Sequence, residues 1–177
     1  MNNLNLMPIM INRLDNETTS KGLLKVGQVN CHNKSELIDE LFEMEFDVLL
    51  VQEPGAWFKN KKHSSWVCIM ADDLGDDVPP RAVTYVKRRV LGRMEIVKVG
   101  DLTDRNMVTI KIDNIEITNI YNRMAETTKP LSTFMTSVGT RERTPRVIAG
   151  DFNIHHPSWQ SWVAPSAVEA LSKDWID

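Results

Sequence analysis

Polar residues with oxygen-bearing side chains stand at the ends of four apolar stretches of the sequence. Asn30 ends the first stretch, Glu53 follows the second, Tyr121 ends the third, and Asp151 follows the fourth, with Asn153 two positions later. Side chains at the strand ends of an α/β sheet leave the core and converge, so such positions commonly form a ligand site. Two carboxylates and two amides, without a His or Cys ligand pattern, suit a hard cation such as Mg²⁺ or Mn²⁺.

The alternative for each of these residues is an ordinary structural role. Asn and Asp are frequent turn formers and helix caps, and any single one is more typical of a turn than of a metal site. Their coincidence at four strand ends favours a shared site over four separate turns.

The first half of the chain predicts the elements that must position two of these residues. Leu24–Asn30 alternates apolar and polar residues, as a half-buried strand does. Asn33 and Glu36 have the spacing of a capping box before a helix with a single apolar stripe. Asp47–Gln52 is a nearly continuous apolar run, which is typical of a strand buried on both faces. Strand, helix and strand at this spacing predict a βαβ unit.

The second half predicts short strands joined by turns, and then a return to helix and strand. Asp113 and Asn114 provide the turn of a β-hairpin whose second arm runs to Tyr121, and a helix is expected after Pro130. The short strands are expected at Ser65–Met70, Ala82–Lys87, Met94–Val99, Met107–Ile112 and Arg146–Ala149. Helices beside a mixed set of strands favour a layered α/β sandwich.

Composition and charge limit the class of protein. The chain has 177 residues, 42% of them hydrophobic and 25% charged, the profile of a soluble globular domain. With a net charge of −3, no global positive field attracts it to nucleic acid. It has no stretch long enough to cross a membrane, no secretory signal, and only two cysteines, which favours an intracellular, nuclear or cytoplasmic protein. Residues 1–22 are expected to be a flexible tail, and residues 23–177 to form the domain.

Four motifs in order carry a resemblance to a known family. They are VGQVNCHNK, LLVQEPGAW, ITNIYNRM and VIAGDFNIHHPSWQ, and the resemblance runs from about Leu24 to Trp162. In this order they resemble the motifs of the endonuclease/exonuclease/phosphatase superfamily. GDFN followed by His-His-Pro-x-Trp is similar to the endonuclease domain of non-LTR (LINE-type) retrotransposon polyproteins. The resemblance implies a four-layered α/β sandwich, with two mixed β-sheets packed face to face and flanked by helices.

The same resemblance implies a role for each residue of the cluster. Glu53 would be the principal ligand of Mg²⁺ or Mn²⁺, and Asn30 would help to position metal and phosphate. Asp151 would orient or activate the attacking water, and Asn153 would donate to the phosphoryl oxygens. Tyr121 would contact the scissile phosphate or support the nucleophile. The substrate would be DNA, and no membrane or obligate protein partner is indicated.

Three further residues are weaker candidates for contact with phosphate or DNA. They are His155, His156 and Arg123. Pro157 and Trp159 favour a structural role for the two histidines, which would shape the loop after GDFN.

The end of the sequence departs from the family pattern. Members of the family carry an Asp-His pair in a last strand well after GDFN, whereas this sequence ends at Asp177. The domain is therefore expected to lack its final strand or strands, and its activity to be slow or absent. The leading hypothesis is a Mg²⁺-dependent, retrotransposon-derived DNA endonuclease. The alternatives are a phosphomonoesterase or lipid phosphodiesterase of the same superfamily, and a catalytically silent remnant that acts as a binding module.

Overall fold

The structure of the protein is a computed structural model that describes residues 7–12, 23–71, 78–91, 96–98, 105–112, 115–122 and 145–153. Within these ranges the strands are β1 Met7–Asn12, β2 Leu23–Asn30, β3 Val48–Gln52, β4 Trp66–Ile69, β5 Ala82–Lys87, β6 Ile96–Lys98, β7 Met107–Ile112, β8 Ile115–Tyr121 and β9 Arg146–Asp151. The helices are α1 Leu37–Phe42, a 3₁₀-helix at Ala56–Asn60, and α2 Arg88–Leu91.

The strands form two mixed sheets, each of which contains one parallel pair. The first sheet has the order β1-β2-β3-β5-β4, in which β2 and β3 are parallel and the other neighbours are antiparallel. The second has the order β6-β7-β8-β9, in which β8 and β9 are parallel. The carboxyl ends of a parallel pair lie at the same edge of a sheet, so each sheet brings two strand ends together.

The two sheets pack face to face across one apolar core. Val48 and Leu50 of β3 contact a cluster that also contains Ile110 and Ile117 of the second sheet, all of them fully buried. These side chains alternate along their strands with residues of the opposite face, as the pleat of a strand requires. The shared core therefore holds the strand ends of both sheets in a fixed relation.

The outer face of the first sheet is covered by α1 and its neighbouring loops. Leu49 and Val51 of β3 pack with Ile38 and Leu41 of α1, and all four are fully buried. The apolar stripe that predicts the helix is the face it buries. Every residue of β3 is buried, which confirms the prediction of a strand covered on both faces.

Two details differ from the sequence prediction. Residues 7–12, inside the predicted tail, form β1, which pairs antiparallel with β2 at the edge of the first sheet. The capping box is wrong, because Asn33 lies in a left-handed turn with φ of 62° and the helix begins after Glu36 without a side-chain cap.

The fold class is confirmed as an α/β sandwich of two mixed sheets that is built mainly of strands. The helix expected after Pro130 lies outside the described residues, and the division of the chain at residue 22 stays a prediction. None of the helices in the described ranges has the length and apolar character needed to span a bilayer.

Candidate active site

The carboxyl ends of the two parallel strand pairs meet at one edge of the sandwich. Asn30 is opposite Gln52 where β2 and β3 end, and Tyr121 is opposite Asp151 where β8 and β9 end. Asn30 Nδ2 donates a hydrogen bond of 2.7 Å to Asp151 Oδ2, which links the first sheet to the second. The residues predicted at four separate strand ends are thus brought into one cluster.

Asp151 is held by hydrogen bonds to both of its carboxylate oxygens. Oδ2 accepts from Asn30, and Oδ1 accepts a hydrogen bond of 3.1 Å from the backbone N–H of Asn153. A carboxylate has about four lone-pair sites, so these two bonds do not use all of its acceptor capacity. Among the described residues, Asp151 is thus held in position with lone pairs left over for a further donor such as water.

Asn153 is oriented by Asn122, the residue that follows the adjacent strand β8. It has a positive φ of 46°, and its Nδ2 donates a 2.6 Å hydrogen bond to the backbone carbonyl of Asn122. Asn122 in turn donates from its side chain to the carbonyl of Phe152 and from its backbone to the carbonyl of Asp151, at 2.9 and 2.7 Å. The second hydrogen of the Asn153 amide has no acceptor among the described residues.

Glu53 occupies a backbone conformation that is rare for its residue type. Its φ is 45°, in the left-handed region that costs a non-glycine residue about 1–3 kcal/mol. Two backbone hydrogen bonds hold it there, from its own N–H to the carbonyl of Arg81 at 2.8 Å and from the N–H of Asn33 to its carbonyl at 2.9 Å. This backbone conformation directs the carboxylate away from the line of β3 and towards Tyr121 at the end of a strand of the second sheet.

The Tyr121 hydroxyl connects Glu53 to the second sheet. It donates a 2.8 Å hydrogen bond to Glu53 Oε1. Burial, together with the adjacent Glu53 carboxylate, raises the pKa of Tyr121 to about 12. The hydroxyl is therefore protonated at neutral pH and acts as a donor to the carboxylate.

A buried amide network lies directly beneath the cluster. Gln52 and Asn119 are fully buried, and Gln52 Nε2 donates to Asn119 Oδ1 at 2.5 Å. Asn119 Nδ2 donates to the carbonyls of Val51 and Val83 at 3.2 and 2.9 Å, and Gln28 donates to Gln52 at 2.5 Å. Glu53 follows Gln52 and Tyr121 lies two residues beyond Asn119, so the network fixes the backbone that carries both.

Two residues that the sequence prediction did not place in the site lie against Glu53. The Arg81 guanidinium is 3.8 Å from Glu53 Oε1, and His32 Nδ1 is 3.7 Å from Glu53 Oε2. The position of Arg81 follows from the antiparallel pairing of β5 with β3, which places the residue before β5 beside the residue after β3. That pairing between distant segments has no local signature in the sequence.

The oxygen donors of the cluster fit a hard divalent cation. Glu53 Oε2 lies 3.7 Å from His32 Nδ1, too far for a hydrogen bond, and it accepts no hydrogen bond from the described residues. The side-chain oxygen Oδ1 of Asn30 accepts a 2.8 Å hydrogen bond from the backbone N–H of His32 and has a second lone pair. Among the described residues no group of three or more His, Cys, Asp and Glu side chains could hold a metal. Mg²⁺ typically takes only one or two carboxylates and completes its shell with water and substrate phosphate, so this donor set suits it.

The weaker candidates lie outside the described residues. These are Arg123, His155 and His156. Their proposed contacts with phosphate or DNA stay predictions.

The chain matches a known family over part of its length. The family described as endonuclease-reverse transcriptase matches residues 115–173. No curated protein matches the chain.

The matched segment contains Tyr121, Asp151 and Asn153, whereas Asn30 and Glu53 precede it. The match supports the resemblance to the endonuclease/exonuclease/phosphatase family and a relation to nuclease-type enzymes. The contacts of Asn30 with Asp151, and of Glu53 with Tyr121, tie the unmatched part of the chain to the matched part.

Proposed function

We propose that the chain is a Mg²⁺- or Mn²⁺-dependent endonuclease domain of retrotransposon type, which hydrolyses phosphodiester bonds in DNA. The observation that carries the proposal is the convergence of Asn30 and Glu53, from the first sheet, on Asp151, Asn153 and Tyr121, from the second. The description of the matched family, which names both an endonuclease and a reverse transcriptase, supports the retrotransposon origin.

In this proposal, Glu53 and Asn30 hold the cation. The Tyr121 hydroxyl orients the Glu53 carboxylate by donating a hydrogen bond to Oε1, which leaves Oε2 for the cation. When bound, the cation neutralises charge on the phosphoryl group and lowers the pKa of a water molecule.

Asp151 and Asn153 act on the water and the phosphoryl group. The Asp151 carboxylate, fixed by Asn30 and Asn153, orients the attacking water and accepts its proton. A bond forms between the water oxygen and phosphorus, the bond from phosphorus to the leaving oxygen of the sugar breaks, and that oxygen takes up a proton from solvent. The free amide hydrogen of Asn153 donates to a phosphoryl oxygen as negative charge develops there.

Cleavage assays on the purified chain test the proposal. Supercoiled plasmid is incubated in Mg²⁺ or in EDTA with the wild type, Asp151→Asn, and the control Glu45→Gln, whose carboxylate is 90% exposed beside Lys25. Nicking that needs Mg²⁺, is lost in Asp151→Asn and is kept in Glu45→Gln supports the proposal.

A second substrate class separates the alternatives. Release of phosphate from inositol phosphates without plasmid nicking would point to a phosphatase of the same superfamily. Inactivity on both substrates would overturn the proposal in favour of a catalytically silent binding module.

A further inference from the structure

Arg81 lies beside Glu53 and Tyr121 and has no role in the mechanism above. Its guanidinium carbon is 5.7 Å from the centre of the Tyr121 ring, and one terminal nitrogen is 3.8 Å from Glu53 Oε1. Its side chain is 25% exposed and that of Glu53 is 15% exposed, so solvent reaches part of each. The guanidinium therefore lies beside the residues that the proposed function assigns to the cation and the phosphate.

The backbone of Arg81 is fixed on both sides. Its carbonyl accepts the 2.8 Å hydrogen bond from the Glu53 N–H, and its own N–H donates to the carbonyl of Arg105 at 2.7 Å. The side chain consequently starts from a defined point next to the strained residue. It reaches the site over the face of the Tyr121 ring, a favourable surface for a guanidinium.

Among the described residues, the guanidinium of Arg81 has no hydrogen-bond acceptor. A separation of 3.8 Å from Glu53 is beyond hydrogen-bond distance, and the buried Nε has no hydrogen-bond partner among the described residues. Buried donors are normally paired, so the unpaired Nε marks a guanidinium that these residues do not satisfy, and its terminal nitrogens remain to bind an acceptor. Glu53 Oε1 already accepts from Tyr121, so Glu53 does not depend on Arg81 for a partner.

The charge of the cluster indicates what that acceptor is. Glu53 and Asp151 are both carboxylates, and they oppose the approach of an anionic phosphodiester. A guanidinium presents several N–H groups in a plane that matches the oxygens of a phosphate group. Arg81 is placed to offset the repulsion and to supply the hydrogen bonds.

We propose that Arg81 is a phosphate-binding residue of this site, whose guanidinium donates to a non-bridging oxygen of the DNA backbone at the position of cleavage. The inference rests on the proposed function for the identity of the substrate. It concerns binding of the phosphate and does not require that cleavage be fast.

Binding of a fluorescent DNA duplex in EDTA, measured by anisotropy over a series of salt concentrations, tests the inference. The variant is Arg81→Gln, which keeps part of the stem over Tyr121 but removes the charge. The matched control is Arg88→Gln, because Arg88 lies at the other end of β5 and donates to the carbonyl of Ser64 in an exposed loop.

We expect Arg81→Gln to bind the duplex about tenfold more weakly than the wild type, or worse. The slope of log affinity against log salt should fall by about one. Arg88→Gln should match the wild type in both quantities.

Equal affinity and equal salt slope for the wild type and Arg81→Gln would overturn the inference, as would a wild type that does not bind the duplex. If Arg81→Gln unfolds, Arg81→Lys decides, because lysine keeps the charge but lacks the planar donor pair and should bind several-fold more weakly; unchanged affinity would then contradict the inference. Nicking by the same preparations, with Asp151→Asn as reference, reports separately on the proposed function. Binding that depends on Arg81 without any nicking would leave the inference standing and reject the proposed function.

Discussion

At the scale of single residues, Glu53 adopts a strained backbone conformation that directs its carboxylate towards Tyr121. Its positive φ is held by hydrogen bonds to Arg81 and Asn33, and by the close approach of Gly55, where a Cβ would lie 2.5 Å from the Asn33 carbonyl oxygen. Gly55 itself has φ of 82°, which glycine adopts at no steric cost. The Gln-Glu-Pro-Gly sequence therefore specifies a turn as well as the carboxylate that the turn directs into the cluster.

The first prediction concerns the hydroxyl that holds this carboxylate. Tyr121→Phe removes the hydrogen bond to Glu53 Oε1, and a hydrogen bond to a charged group is worth about 1.5–3 kcal/mol. We expect the rate of plasmid nicking in Mg²⁺ to fall by about 10- to 100-fold, since the freed carboxylate no longer keeps its orientation. Tyr85→Phe is the matched control, because Tyr85 packs on Phe42 in the outer core. Equal nicking by Tyr121→Phe and the wild type would show that the hydroxyl has no part in the reaction.

At the scale of elements, the end of β9 depends on a glycine. Gly150 has φ of 152°, and a Cβ on it would lie 1.8 Å from the carbonyl oxygen of Ile120 on the paired strand β8. No side chain fits between the two backbones. Gly150 thus lets β9 approach β8 closely enough for Asp151 to stand opposite Tyr121.

Gly150→Ala should therefore destabilise the domain and displace Asp151. We expect a loss of at least about 2 kcal/mol in the free energy of unfolding, from the strained φ and the backbone clash together. Urea denaturation of Gly150→Ala beside Gly27→Ala measures this, because a Cβ at Gly27 meets only side chains, at 3.1 Å from Leu49 and Phe46. A loss in Gly150→Ala no greater than that in Gly27→Ala would contradict the account.

Most elements could be predicted from sequence because their patterns are local. The predicted strands Ala82–Lys87 and Met107–Ile112 coincide with β5 and β7, and most residues of both strands are buried. β1 was missed because MPIMIN shows no alternation and contains Pro8, which a strand at the edge of a sheet tolerates. The capping box failed because the left-handed φ of Asn33 is set by contact with the turn after β3, which is a tertiary effect.

At the scale of the whole molecule, polar contacts cross an otherwise apolar interface between the two sheets. Asn119 of β8 donates to the carbonyls of Val51 and Val83 and accepts from Gln52, all in the first sheet or beside it. Asn30 and Asp151 make the corresponding contact at the rim. These bonds fix the position of one sheet relative to the other and hence the geometry of the cluster.

Removal of the Asn119 amide should weaken this connection. Asn119→Ala removes the side-chain donor to two buried carbonyls and leaves Gln52 Nε2 with only its 3.3 Å hydrogen bond to the Leu50 carbonyl, so we expect a loss of about 3 kcal/mol or more in unfolding free energy. Thr118→Val on the opposite face of β8 is the comparison. It breaks only the 3.0 Å hydroxyl contact with Thr109 and should cost about 1 kcal/mol. Similar losses for the two variants would argue against a special role for the network.

The sequence could also predict most of the candidate site, but not all of it. Strand ends and motif order single out Asn30, Glu53 and Asp151, because the types and positions of these residues are visible along the chain. Arg81 could not be found in this way, since its place depends on the pairing of β5 with β3. Nor could the sequence show that Asn30 would bond directly to Asp151, a contact that forms only when the two sheets pack.

Binding of Mn²⁺, followed by electron paramagnetic resonance with Mg²⁺ as competitor, tests most directly whether the cluster is a metal site. We expect saturable binding by the wild type and by Glu45→Gln, and at least about tenfold weaker binding by Glu53→Gln, since the amide removes the charge of the principal ligand while keeping its shape. Thermal unfolding of each variant confirms that it is folded. Equal Mn²⁺ affinity for the wild type and Glu53→Gln, or no saturable binding by the wild type, would contradict the account.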